Sequence, residues 1–342
     1  TGQCIETPLE SPNSRLKERV NIGGYPVKEL GGLVWGYLGP LPAPVLPPYD
    51  FLVVPNAIRQ IAVTIIPCNW LQCHENSADP YHNTYLHGHF FKYQLERLGT
   101  LDERAPEPDK HRAFMSMHFT DFHDGIDFKR DEFGFQKGIK ISKAKGAKED
   151  SVKPFPYNIF PYLSRVAGGF RCQVNMRVPM DDTHTYHLTY VVFHADGIEA
   201  PEQASVPYFD APLFDEEGHP VLDYVLAQDM TAWKSQGERT DRTKENLAAT
   251  DLAIIEFRKI IEEQIQLVEA GITPMGVSYE EDQWGEIIEF EPRFTDSRAS
   301  SGTAVGMFRA NYSSIDDVER YSPIIPLVEE FVRRVAEASG NH

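Results

Sequence analysis

The spacing of histidines and acids between Asn69 and His87 constrains this chain more than any other feature. Nineteen residues hold three of its twelve histidines, His74, His82 and His87, and two acids, Glu75 and Asp79. Asp79, His82 and His87 read D-x2-H-x4-H. On a helix, Asp79 and His82 share a face. His82 and His87 are five apart, about 140° around an ideal helix at roughly 100° per residue. Both rings reach one ion only if the helix is distorted there, as by a π-bulge, or ends between them. Pro80 suits the first turn of a helix. A helix is therefore expected from about Pro80, with Asp79 near its N-cap. Two imidazoles, joined by a carboxylate from elsewhere, form a ligand set that leaves positions open on iron(II). The same spacing also describes an ordinary helix N-terminus with surface or core histidines, and spacing alone does not separate the two.

Periodicity gives the coarse fold. Arg59 to Ile66 is β-rich and partly alternating, a strand leading into the histidine segment. Ala113–Phe122 with Gly125–Arg130 is expected as a hairpin, and Phe170–Val178 and Thr185–His194 as two further strands. His118, His187 and His194 fall on these strands and read as core-edge or surface residues, not ligands. Leu222 to Trp233 is expected to be helical. So is Asp251 to Ala270, where Ile254, Phe257, Ile261, Ile265 and Val268 form an apolar stripe capped by Thr250 and ended by Gly271. Ile325 to Ala338 is a third helix, with Pro326 in its first turn and Leu327, Phe331 and Val335 as its apolar face. The sum is an α+β domain, an antiparallel sheet with helices on one side. Six prolines between Leu38 and Pro55 read as a stiff linker, which sets a domain boundary near residue 46.

Composition excludes several classes. A net charge of −18 argues against a nucleic-acid partner, and no apolar run is long enough for a membrane span. Four scattered cysteines form no disulfide framework, which points to the cytoplasm. Lys137, Lys140, Lys143, Lys145, Lys148 and Lys153 stand close together with Gly138 and Gly146. They read as a mobile solvated loop or, more sharply, as a basic lid or docking edge for an acidic electron carrier or an anionic aromatic substrate.

The words around the histidines carry more than their spacing. N-W-L-Q-x2-E-N-x2-D-x2-H-x3-L-H, from Asn69 to His87, resembles the mononuclear iron motif of the Rieske non-haem iron aromatic-ring-hydroxylating oxygenases, in their oxygenase (alpha) subunit. Leu226 to Gly237 resembles that family's second metal segment. Arg177–Thr185, Phe155–Asn158 and Asp241–Leu247 followed by Thr250-Asp251 resemble its phthalate-dioxygenase-like branch. The resemblance implies that His82, His87 and Asp229 hold a mononuclear Fe(II), with Asp223 as the runner-up to Asp229. The opposing reading of Asp229 is a solvated helix acid. By the same resemblance Asp79 bridges an iron ligand to a Rieske histidine of a neighbouring subunit, and Asn76 lies near the pocket. A helix-grip catalytic domain over 46–342 is implied, preceded over 1–45 by the closing strands of a Rieske [2Fe-2S] domain.

One departure matters. A Rieske cluster takes C-x-H and then C-x2-H. None of Cys4, Cys68, Cys73 and Cys172 begins either pattern, and Cys73-His74 are adjacent. The opening Thr1–Pro8 reads like the segment after the second cluster pair, so the cluster-binding segment is expected to be missing from this chain. The implied activity is O2-dependent mono- or dioxygenation, or O-demethylation, of an aromatic compound, an aryl carboxylate or aryl ether. A reductase or ferredoxin would feed it electrons, and cross-subunit transfer would need a homotrimer or stacked trimers. Two alternatives of other classes are a helix-grip ligand carrier without catalysis and a zinc-type hydrolase using His82, His87 and a carboxylate.

Overall fold

The computed structural model describes residues 2–90, 93, 97, 123–145, 149–168, 170–222, 225–281, 283–285, 287–291 and 324–338. The expected strand Ala113–Phe122, His118 and Asp223 lie outside these residues. The chain divides into two compact units, Thr1–Val53 with Val277–Ile288, and Val54–Gly276 with Glu289–His342.

In the first unit, β1 (Val27–Leu30) and β2 (Leu33–Gly36) form an antiparallel hairpin. Its two-residue turn is Gly31-Gly32, with φ of 66° and 77°. Both central positions of such a turn need positive φ, which glycine adopts without steric cost. The short α1 (Asp50–Val53) follows the proline-rich stretch. Ile288 closes on it: its N–H donates to the Pro48 carbonyl and its carbonyl accepts from the Asp50 N–H, both at 2.9 Å.

The second unit is built on one eight-stranded sheet, in the order β10-β3-β9-β8-β7-β6-β5-β4. The strands are β3 (Ile58–Ile66), β4 (His123–Arg130), β5 (Gly134–Ile141), β6 (Ser151–Ile159), β7 (Leu163–Gly168), β8 (Arg171–Pro179), β9 (Thr185–Phe193) and β10 (Tyr208–Asp210). Every pairing is antiparallel except that of the edge strand β10 with β3. The helices are α2 (Trp70–Ala78), α3 (Val225–Ser235), α4 (Leu252–Glu269) and α5 (Ile325–Ala338). This is the expected α+β architecture. Among the described residues no helix is long and apolar enough to cross a membrane.

Two local expectations are corrected. Gly125–Arg130 is a strand, and it pairs with Gly134–Ile141, so the Lys-rich segment begins as a sheet strand. Lys140 is exposed, but Lys137 is buried, 3% exposed. The parity of β5 explains it, because Phe135, Lys137 and Ile139 are alternate residues and Phe135 and Ile139 are core. On α4 the buried residues are Ala253, Phe257, Ile260 and Gln264, while Ile265 and Val268 of the predicted stripe are 52% and 57% exposed. Gln264 is turned inward because its Oε1 accepts the Met275 N–H at 2.7 Å.

Two apolar clusters hold the helices to the sheet. Ile58, Phe170 and Phe193 pack with Leu226, Met230 and Trp233 of α3 and Val328 and Phe331 of α5. Phe135 packs with Ala78, Phe257 and Ile260. The Phe257 ring lies 5.4 Å from Phe135 and 5.1 Å from His74. Truncating a fully buried Phe leaves a cavity that costs about 3–5 kcal/mol. Phe257→Ala should therefore destabilise by that amount in denaturant unfolding, whereas Ile265→Ala on the same helix should cost under about 1 kcal/mol.

Candidate metal centre

The site begins at the N-terminus of α2. The Asn69 side chain caps it, accepting the Leu71 N–H at 3.0 Å. This helix, Trp70–Ala78, precedes the expected one, and Asp79 is its C-cap. Asp79 then serves the next turn. Its Oδ1 accepts the Tyr81 N–H at 2.8 Å and its Oδ2 the His82 N–H at 3.0 Å. The expected capping by Asp79 is present, on the turn that opens the helical segment carrying His82 and His87.

From Asn83 to Phe90 the backbone is a π-helix. This resolves the problem of two histidines five apart. A π-helix repeats at i to i+5 instead of i to i+4, so His82 and His87 come to one side. Their rings sit 5.2 Å apart, at 85° to each other.

Asp229 on α3 meets them. His87 Nε2 lies 3.0 Å and His82 Nε2 3.8 Å from Asp229 Oδ1. One ligand atom from each residue falls within 4.8 Å of the others. Ligands at about 2.1 Å from one ion stand about 3 Å apart when cis and about 4.2 Å when trans. The two measured separations fall inside that span, so the residues fit a single ion held by two nitrogens and one oxygen. It is the only such group among the described residues.

Neighbours orient each ligand. His87 Nδ1 lies 3.2 Å from Gln228 Oε1, and Gln228 is anchored by its own Nε2, which donates to the Leu222 carbonyl at 2.9 Å. Since Gln228 Oε1 can only accept, His87 carries a proton on Nδ1, and Nε2 is the nitrogen that faces Asp229 and would bind an ion once its own proton leaves. Asn76 Nδ2 donates to Asp229 Oδ1 at 3.2 Å. His82 Nδ1 approaches Asp79 Oδ2 at 3.5 Å, an ion-pair distance and too long for a formed hydrogen bond. Burial alone would raise the Asp229 carboxyl and lower the His87 imidazole. Their mutual charge and hydrogen bond outweigh burial, so Asp229 sits below its ordinary value and His87 above it. The carboxylate thus holds positive charge beside it, which a cation would supply in place of the proton.

Three groups at the site escaped the sequence reading. Gln228 is one; it precedes Asp229, and only its inward position on α3 distinguishes it. The others are cations. Lys137 donates to the Ser77 carbonyl, joined there by Asn158 Nδ2 at 3.3 Å. Arg177 donates to Ser77 Oγ at 2.5 Å and faces His74 Nδ1 at 3.2 Å. The Arg177 guanidinium also lies over the Trp233 ring, 5.0 Å from its centroid. His74 and His187, both fully buried, stay outside the ligand group; burial pushes His74 well down and His187 to about 3. Gln72 ties α2 to the end of α3, donating to the Trp233 and Gly237 carbonyls at 3.0 and 2.8 Å.

Among the described residues no ligand set for a Rieske-type two-iron cluster comes together. The described cysteines offer only Cys68 and Cys73 as neighbours, 3.4 Å apart, and no histidine joins them in a ligand group.

Burial pushes the Lys137 amine down to about 7, with Arg177 acting the same way and Asp79 and Asp229 opposing. The unfolded chain keeps that proton up to about pH 10.5, so between 7 and 10.5 the unfolded state binds more protons. Stability from this group therefore rises with pH across that window, by at most about 1.4 kcal/mol per unit. In Lys137→Met that slope should vanish, read as the difference between wild-type and variant denaturant midpoints at pH 7 and 9.5.

Residues 218–301 match the family described as LigXa C-terminal domain like. The chain is 32% identical over 286 residues to the 5,5'-dehydrodivanillate O-demethylase oxygenase subunit of Sphingobium sp. (strain NBRC 103272 / SYK-6), covering 81% of this chain and 61% of that protein. It is 25% identical over 305 residues to the phthalate 4,5-dioxygenase oxygenase subunit of Pseudomonas putida, covering 80% and 66%. The terminal oxygenase of carbazole 1,9a-dioxygenase from Nocardioides aromaticivorans IC177 superposes with a TM-score of 0.46 at 16% identity, over 75% of this chain and 72% of that one. The chain thus spans somewhat under two thirds of the length of the first curated relatives it matches. Its homologues are oxygenase subunits of Rieske-type aromatic dioxygenases and O-demethylases.

Proposed function

We propose that this chain is the catalytic portion of an oxygenase that uses O2 on an aromatic compound, an aryl carboxylate or aryl ether, by ring oxygenation or O-demethylation. The observation that carries the reading is the convergence of His82, His87 and Asp229. Those three would hold a mononuclear iron(II), which when bound supplies O2 activation at its open positions.

The chain's own residues do the rest. Gln228 fixes the His87 tautomer and Asn76 fixes the Asp229 carboxylate, so the ligands are preset before metal arrives. Asp79 is placed for a second task. Its side chain is 24% exposed while its Oδ2 stands beside His82, so it can be reached from outside the chain and leads inward to a ligand. We assign it the relay of an electron from a Rieske cluster of a neighbouring subunit, which implies a trimeric ring or stacked trimers and a ferredoxin or reductase behind it. The first unit is read as the closing part of a Rieske domain whose cluster ligands are not among these residues.

Protein prepared without oxygen should carry about one iron per chain, and a chemical reductant with labelled O2 should give a labelled hydroxybenzoate from ring hydroxylation or, from a methoxybenzoate, the unlabelled phenol together with formaldehyde that carries the inserted oxygen. Iron near zero with no uptake would overturn the reading. Asp79→Asn keeps one oxygen for capping, so it should retain iron while reducing partner-fed turnover on the order of a hundredfold. Wild-type turnover in that variant would remove the relay role.

A further inference from the structure

The face of the sheet that carries Arg177 is polar where a sheet core is ordinarily aliphatic. Asn158, Ser164, Asn175 and Thr189 stand in register across β6, β7, β8 and β9, with exposures of 0%, 2%, 5% and 2%. Along β8, Arg171, Gln173, Asn175 and Arg177 are alternate residues and share this face. On β3, Gln60 lies in register with Val191 and through it with Gln173. A buried polar floor of this extent costs stability unless every group is satisfied. Among the described residues several are not. Both side-chain atoms of Gln60, the Asn158 Oδ1 and the His187 Nδ1 are buried without a hydrogen-bond partner.

The floor has a direction. Arg171 Nη2 donates to Gln173 Oε1 at 2.7 Å, and Gln173 Nε2 donates to Asn175 Oδ1 at 2.8 Å. An arginine can only donate, so it fixes the orientation of both amides. The relay therefore ends on the Asn175 NH2, a donor made stronger by the cation at its head. Acceptors are supplied at the sides by Gln60 Oε1 and Asn158 Oδ1. The floor also adjoins the metal ligands' support. Asn158 and Arg177 both donate to Ser77, two residues before Asp79. Arg177 follows Asn175 on the same face, about 7 Å along the strand.

We propose that this floor is the substrate-recognition surface, and that it selects aromatic rings bearing both an acceptor oxygen (carboxylate, ether or phenolate) and a hydroxyl donor, with the Asn175 NH2 as the group that reads the acceptor oxygen and Gln173 as the residue that orients it. The assignment rests on the oxygenase reading and narrows it. A ring with oxygen substituents replaces the missing partners of these amides. A plain hydrocarbon leaves the same amides desolvated and unpaired, and a site built to hydrogen-bond rejects such an analogue strongly.

The test is calorimetric binding to the iron(II)-loaded full chain without oxygen, with 4-hydroxy-3-methoxybenzoate and biphenyl as probes and iron content assayed in parallel. Wild-type protein should bind the oxygenated probe at least about tenfold more tightly than biphenyl, and Asn175→Leu should weaken that probe about tenfold without weakening biphenyl or losing iron. Gln173→Met breaks the relay at its other link and should do the same, so the proposal stays testable if one variant misfolds. Equal affinity for the two probes, no binding of either, or an unchanged ratio in both variants overturns the proposal. Loss of iron in wild-type protein strikes the metal-centre reading instead, and the probe ratio still reports on the floor.

Discussion

The end of α2 is held by the sheet, and the metal centre depends on that hold. Ser77 receives Lys137 from β5 and Asn158 from β6 on its carbonyl, and Arg177 from β8 on its hydroxyl. Two cations at a helix C-terminus oppose the negative end of its dipole. Three strands thereby fix where α2 stops, and the next residues are Ala78 and Asp79. Asp79 caps the turn that carries His82, and the π-helix then brings round His87. A shift at Ser77 would pass directly into the ligand geometry.

The opposite side of the centre is fixed by separate means. Gln72 holds α2 to the end of α3, and Glu75 on α2 pairs with Arg242 at 2.6 Å and with Arg258 on α4 at 2.7 Å. Asp229 is thus placed by the helix layer, while the turn with the two histidines is placed by the sheet. The site lies where the two layers meet, so their packing and its geometry are one problem.

Much of this was legible in the sequence because it is local. D-x2-H-x4-H lies within nine residues, and the need for a distorted helix followed from rotation per residue alone. Asp229 lies 142 residues beyond His87, and no local rule connects them; the family resemblance did. Lys137 was misread because lysine and glycine together look like a loop. Its signal was parity with Phe135 and Ile139, which becomes visible only once Gly134–Ile141 is known to be a strand. The α4 stripe failed at its C-terminal end for a related reason. Period shows which residues share a face, but not how far along the helix that face stays covered.

The π-helix has one more consequence. Four residues, Asn83 to Leu86, separate the two histidines, and no ligand-orienting hydrogen bond to His87 comes from their side chains. What they contribute is their number. Substitutions among them change surface and packing but keep this spacing, which the π-helical backbone closes on one ion; an ordinary α-helix with the same four residues would turn one imidazole away. In this stretch the number of residues and the pitch of the backbone are matched to one ion, as ring size is in a small chelator.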